Sequence, residues 1–126
     1  MKDLSDYLNS TSDIVEKAGA FYAFSNEQLE KQAKEGVQYI ALGSGLICPK
    51  DNAKQLQSDM FDKLNKAVQQ DIKENGIDSI IRRELYNHEA IYTNDIDSTV
   101  DALEIYNIDI EDIYRIYYEE IRKQDE

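Results

Sequence analysis

The sequence predicts an α+β domain, mainly α, with about five helices packed around a small two-stranded β-hairpin. Three observations carry that expectation. Apolar residues recur at helical spacing from Ala53 to Ile72, through Leu56, Met60, Leu64, Ala67 and Val68. Two short runs rich in strand formers, Val37–Leu42 and Leu46–Cys48, flank Gly43-Ser44-Gly45, the composition of a turn between paired strands. The chain has 126 residues, 41% of them apolar, enough for one modest core and too few for two independent ones. Residues 1–126 are therefore read as a single domain.

Along the chain, Asp3 to Ala20 carries Leu4, Tyr7, Leu8, Ile14 and Val15, interrupted by the polar stretch Asn9–Asp13, so one broken helix or two short ones fit. Ala20-Phe21-Tyr22-Ala23-Phe24 reads as an aromatic core anchor. Ser25-Asn26-Glu27-Gln28 has the form of a capping box, in which Ser25 accepts from the Gln28 amide and the Gln28 side chain reaches back. That helix is expected to run to Glu35, with Gly36 as its left-handed terminal residue. Pro49 stops the second strand, and the long helix follows from Asp51 to Asn75-Gly76. Lys54, Lys63, Lys66 and Lys73 are assigned to its outer face. A further helix spans Ile77 to Tyr86, with Ile80, Ile81 and Leu85 inward and Arg82 and Arg83 outward. Asn87–Asp97 is expected to be a loop, Ser98-Thr99-Val100-Asp101 to open a short helix through Ile105, and Asp109 to cap the last helix. The inward face of that last helix is assigned to Ile110, Ile113, Tyr114, Tyr117 and Ile121.

Charge narrows the function classes. Fourteen basic against twenty-six acidic side chains give a net charge of −12. Such a field repels nucleic acid and anionic membrane and attracts basic proteins and cations, although acidity also serves solubility alone. No apolar run approaches the ~20 residues of a membrane helix, and the first residues, Met1–Asp6, lack the pattern of a secretory signal. Cys48 is the only cysteine, which excludes an internal disulfide and fits the cytoplasm.

The excess acidity sits toward the C-terminal end. From Asp95 to Glu126 eleven acids face only Arg115, Arg122 and Lys123, and Asp95–Asp112 holds seven acids and no base. Asp97, Asp101, Asp109, Glu111 and Asp112 lie near expected helix starts, where orphan amides favour carboxylates. Capping does not account for Glu104, Glu119-Glu120 or Asp125-Glu126. Carboxylates three or four positions apart on a helix stand roughly 5–6 Å apart at Cβ, a spacing that can imitate a row of phosphates. Asp101, Glu104, Glu111, Asp112, Glu119 and Glu120 are accordingly the candidate partner-binding residues. Tyr118 beside Glu119 is the candidate aromatic anchor, and a surface tyrosine without a role is the plain alternative.

Catalytic chemistry is sparse. His88 is the only histidine, no nucleophile elbow surrounds any serine, and Gly43 and Gly45 are followed by neither a P-loop nor a dinucleotide fingerprint. No catalytic residues and no cofactor are expected, and zinc is the one candidate metal. Cys48, His88, Glu89 and Asp95 offer the donor types of a zinc site. A helix-terminal His88 bonded to backbone and a buried, inert Cys48 are the plain reading of the same residues.

Phe21–Gln28, Gly45–Lys50, Ile81–Ala90 and Val100–Glu104 together resemble a family of small acidic proteins carried by phages and other mobile elements of Firmicutes and related bacteria. The resemblance covers most of the chain from Phe21 to about Tyr118 and supplies no catalytic motif. It implies a counter-defence protein similar in character to anti-CRISPR inhibitors of Cas9. The expected partner is then a basic nucleic-acid-binding protein in the host cytosol, with Cas9 the specific candidate, and no direct contact to nucleic acid or membrane. Because Lys54, Lys63, Lys66, Lys73, Arg82 and Arg83 leave the middle of the chain less acidic, mimicry of DNA is confined to the C-terminal end. Two alternatives stand beside it. One is a sponge for a nucleotide immune signal lined by Lys and Arg of the central helices. The other is a small zinc-binding protein or metal-dependent enzyme centred on His88.

Overall fold

The computed structural model describes Met1–Asp125; Glu126, counted above among the terminal acids, lies outside the described residues. In chain order the elements are α1 (Leu4–Leu8), α2 (Ser12–Lys17), β1 (Phe21–Tyr22), α3 (Asn26–Gln32), β2 (Tyr39–Ala41), β3 (Leu46–Pro49), α4 (Ala53–Asn75), α5 (Ile77–Asn87), α6 (Ala90–Thr93), α7 (Asp97–Leu103) and α8 (Ile110–Gln124). Single 3-10 turns, Lys50–Asn52 and Glu104–Tyr106, precede α4 and follow α7. The fold is α+β and mainly α. Two compact units share the chain, Leu8–Asn65 and Met1–Tyr7 together with the residues from Lys66 onward, so α4 contributes its first half to one and its second half to the other.

In the unit Leu8–Asn65 the sheet is antiparallel and three-stranded, in the order β1-β3-β2. The expected hairpin is present as β2–β3, with Ile40 opposite Cys48. Gly43, Ser44 and Gly45 all have positive φ, a conformation that glycine adopts without cost. The third strand corrects the reading of Phe21–Phe24 as a core anchor. Phe21 and Tyr22 pair with Ile47 and Leu46, Tyr22 and Phe24 stack on each other, and both are exposed. Directly opposed residues share a face, so Tyr22 lies on the same side of the sheet as Leu46 and Cys48 but on the edge strand. On the central strand Cys48 is fully buried with Ala53 and Leu56, and Ile14, Ala18, Ala20, Leu42, Leu46 and Met60 pack around them.

Ser25 caps α3 as expected, accepting from the Gln28 amide at 3.2 Å, whereas the Gln28 side chain takes the Phe24 amide at 2.7 Å. That helix ends at Gln32 rather than Glu35. The backbone at Ala33 turns extended, and the Lys34 amide donates to the Tyr39 hydroxyl at 3.0 Å.

In the other unit α5 and α8 lie side by side, flanked by α6 and α7. Val68, Ile80, Ile81, Leu85, Ala90, Ile91, Leu103, Tyr106, Ile113, Ile116 and Tyr117 form the core, with Leu4 of α1 packed against it. Two expectations are corrected here. Asn87–Asp97 contains α6, whose Ala90 and Ile91 are buried, and left-handed Glu89 and Asn94 bound it. On α8 the buried stripe is Ile113, Ile116, Tyr117 and Glu120, while Ile110 and Tyr114 are exposed. The i, i+3, i+4, i+7 stripe starts three residues later than the apolar count suggests. Asp109 caps α8 through the Glu111 amide at 3.0 Å.

Candidate partner-docking face

The six candidate acids fall into two groups. Glu120 is buried, its carboxylate 3.5 Å from Arg82 Nε and 3.0 Å from Lys123 Nζ; neither pair is aligned as a hydrogen bond. Glu119 lies 3.7 Å from both Arg82 and Arg115, and Asp112 lies 3.4 Å from Arg115. Arg115 also holds Asp78 at 3.0 Å, and its guanidinium pKa is raised, first by the hydrogen bond to Asp78. These three acids join α8 to α5 and to itself, a correction to their reading as open partner contacts. Asp101, Glu104 and Glu111 are exposed, and none makes an ion pair among the described residues.

Those three acids lie beside apolar surface. The segment α7–α8 exposes Ile105, Ile110, Tyr114 and Tyr118, with Tyr118 54% exposed and stacked on Tyr114 at 6.1 Å between ring centres. Between α7 and the start of α8 run two adjoining grooves of about 220 and 330 Å³ that share Val100, Asp101 and Ile110. Glu104 and Ile108 line the first, Asp97 and Tyr114 the second. Small-molecule sites typically measure ~300–1,000 Å³; the first groove falls below that range and the second at its lower end, sizes that accommodate single side chains of a partner. Tyr118 is exposed, as the expected role requires; the groove beside it was not anticipated.

A second polar constellation lies inside the same unit, and sequence reasoning missed it. Arg83, assigned outward, is buried, and so are Asp71, Glu84 and Tyr106. Arg83 grips Asp71 with two hydrogen bonds of 2.9 Å, reaches Glu84 Oε1 at 3.1 and 3.2 Å, and donates to the Lys2 carbonyl at 3.0 Å. Tyr106 donates to Asp71 at 2.5 Å and Asn75 donates at 2.8 Å. Burial raises the Asp71 carboxyl pKa, but the bonds from Arg83, Tyr106 and Asn75 outweigh it and hold the group below its ordinary value. Tyr106 is pushed up, first by burial and then by its bond to Asp71. The cluster ties α4 and α5 to the turn after α7 through buried, mutually satisfied polar groups. It also removes Arg83 from any nucleotide-lining surface.

The four candidate metal ligands are not gathered. Among the described residues no three His, Cys, Asp or Glu side chains are placed to hold a metal ion. Cys48 is buried in its own unit, where the thiol donates to the Pro49 carbonyl at 3.4 Å and burial raises its pKa. His88 Nε2 stands 3.5 Å from Glu84, one helical turn back. Glu89 takes a left-handed position before α6, and the Asp95 carboxylate accepts from the Asp97 amide at 3.0 Å. Cys48, His88 and Asp95 are thus each engaged locally, and Glu89 is exposed.

Among the described residues no helix is long and apolar enough to cross a membrane. No curated protein and no solved structure matches the chain. The sequence profile of DUF7659, a family of unknown function, matches residues 5–124, and the chain belongs to that family.

Proposed function

We propose that this protein is a counter-defence factor of a phage or mobile element that binds a basic surface of a host nucleic-acid-binding protein and interferes with nucleic-acid loading. A Cas9-type nuclease in the bacterial cytosol is the specific candidate partner. The observation that carries the reading is the α7–α8 face, where Asp101, Glu104 and Glu111 are exposed and unpaired beside exposed Ile110, Tyr114 and Tyr118. No basic residue occurs between Asp95 and Asp112, and Arg115, the next one, is engaged by Asp78, Asp112 and Glu119. A cationic partner therefore meets uncompensated carboxylates, and its approach is steered and salt-sensitive.

The test is inhibition of DNA loading by a Cas9-type nuclease, read by gel shift and cleavage at low and high salt. Wild type is expected to block loading near stoichiometry and to weaken as salt rises. The triple reversal D101K/E104K/E111K is expected to abolish the block while its thermal melt stays unchanged. No inhibition by wild type, or full inhibition by the reversal, would refute the proposal.

A further inference from the structure

We infer that the α7–α8 grooves receive a basic amphipathic segment of the partner, one aliphatic or aromatic side chain seating on Val100, Ile108 and Ile110 while flanking Lys or Arg side chains pair with Asp97, Asp101 and Glu104. The inference rests on the docking reading above and specifies how the partner is recognised. Pure phosphate mimicry needs carboxylates and no pocket. Here the carboxylates rim a concave apolar floor: Val100, Asp101 and Ile110 belong to both grooves, and Ile113 closes the first from below. Ile110 is 49% exposed although it opens an amphipathic helix whose buried stripe begins only at Ile113.

Charge complementarity selects the occupant. Asp97, Asp101 and Glu104 line the grooves, and the only polar side chain without charge among the lining residues near them is Asn107, apart from the hydroxyl of Tyr114. An uncharged or acidic segment would leave that rim unanswered. A uniformly basic one would leave the floor uncovered. Spacing of three or four residues between an apolar anchor and its basic neighbours places both on one face of a helix, matching an apolar floor with acids along α7.

The experiment uses the full chain and two fluorescein-labelled peptides of equal charge, a Lys/Leu amphipathic helix and its Lys/Ser counterpart, read by anisotropy. The Lys/Leu peptide is expected to bind roughly tenfold or more tightly, the difference that burying one leucine supplies. Ile110→Ser, at an exposed site, should remove that advantage with an unchanged melt, and methyl NMR should show Val100, Ile108 and Ile110 signals moving on binding. Equal affinity for the two peptides overturns the inference and leaves acidic-face docking standing. A Lys/Leu advantage that survives Ile110→Ser without movement of those methyls overturns it as well. Binding of neither peptide removes both readings.

Discussion

Asp71 accepts four hydrogen bonds from Arg83, Tyr106 and Asn75 while fully buried, so its removal strands a buried guanidinium that retains only Glu84 as an acidic partner. Asp71→Ala should cost about 3–5 kcal/mol, the range for breaking a buried pair from one side, measured as a lower urea midpoint at neutral pH. Because the folded state depresses the Asp71 pKa, its contribution is complete above the ordinary aspartate value of ~3.9 and is lost as pH falls from there toward the folded value. Asp71→Asn should therefore flatten the acid limb of the stability–pH curve below about pH 4; an unchanged limb would contradict the assignment. Tyr106 behaves oppositely. Its pKa is raised in the fold, so its stabilisation holds below ~10 and declines above it, and Tyr106→Phe should lower stability at neutral pH by about 1–3 kcal/mol. This cluster was not legible in the sequence. Arg82 and Arg83 are indistinguishable by type, and successive helix positions point about a quarter-turn apart. Only the partners separate them, Asp71 twelve residues earlier and Tyr106 twenty-three later.

Caps were the legible part of the elements, because a cap is a contact between residues two or three apart. Ser25 and Asp109 cap the helices they were assigned to, and replacing either by Ala should cost about 1 kcal/mol; α7 instead starts at Asp97, before the Ser98 expected to open it, and has no side-chain cap. Strand β1 was not legible. Two residues carry too little pattern to specify a strand, and Phe21–Tyr22 becomes one only because β3 presents a free edge. Gly45 shows how tightly that edge is built. Its φ is +81°, and a Cβ there would overlap the Phe24 ring. Gly45→Ala should thus destabilise through two separable causes, a left-handed backbone worth roughly 1–2 kcal/mol and a clash that Phe24→Ala relieves. A double-mutant cycle by chemical denaturation distinguishes them: the cost of Gly45→Ala should shrink, without vanishing, in the Phe24→Ala background. An undiminished cost would show that the ring yields freely.

Apolar burial is unevenly divided along the chain. The unit Leu8–Asn65 has a buried cluster of only Cys48, Ala53 and Leu56, two of them small. The other unit has Ile80, Ile81, Leu85, Leu103, Ile113 and Ile116 essentially without solvent contact, together with the Asp71–Arg83 pair. At roughly 1.5–3 kcal/mol for each large side chain removed from water, the difference in stabilisation is several such increments. Local opening follows local stability, so amide exchange should start in β2 and β3 and finish in α5 and α8. Mass spectrometry of deuterium uptake would show Tyr39–Pro49 exchanging while Ile80–Leu85 is still protected. Leu56→Ala, which removes the one large side chain among those three buried residues, should widen that gap by speeding the sheet amides and leaving α5 unchanged. If instead both segments exchanged together, in wild type and in Leu56→Ala alike, opening would be a single global event and the uneven burial would have no consequence for dynamics.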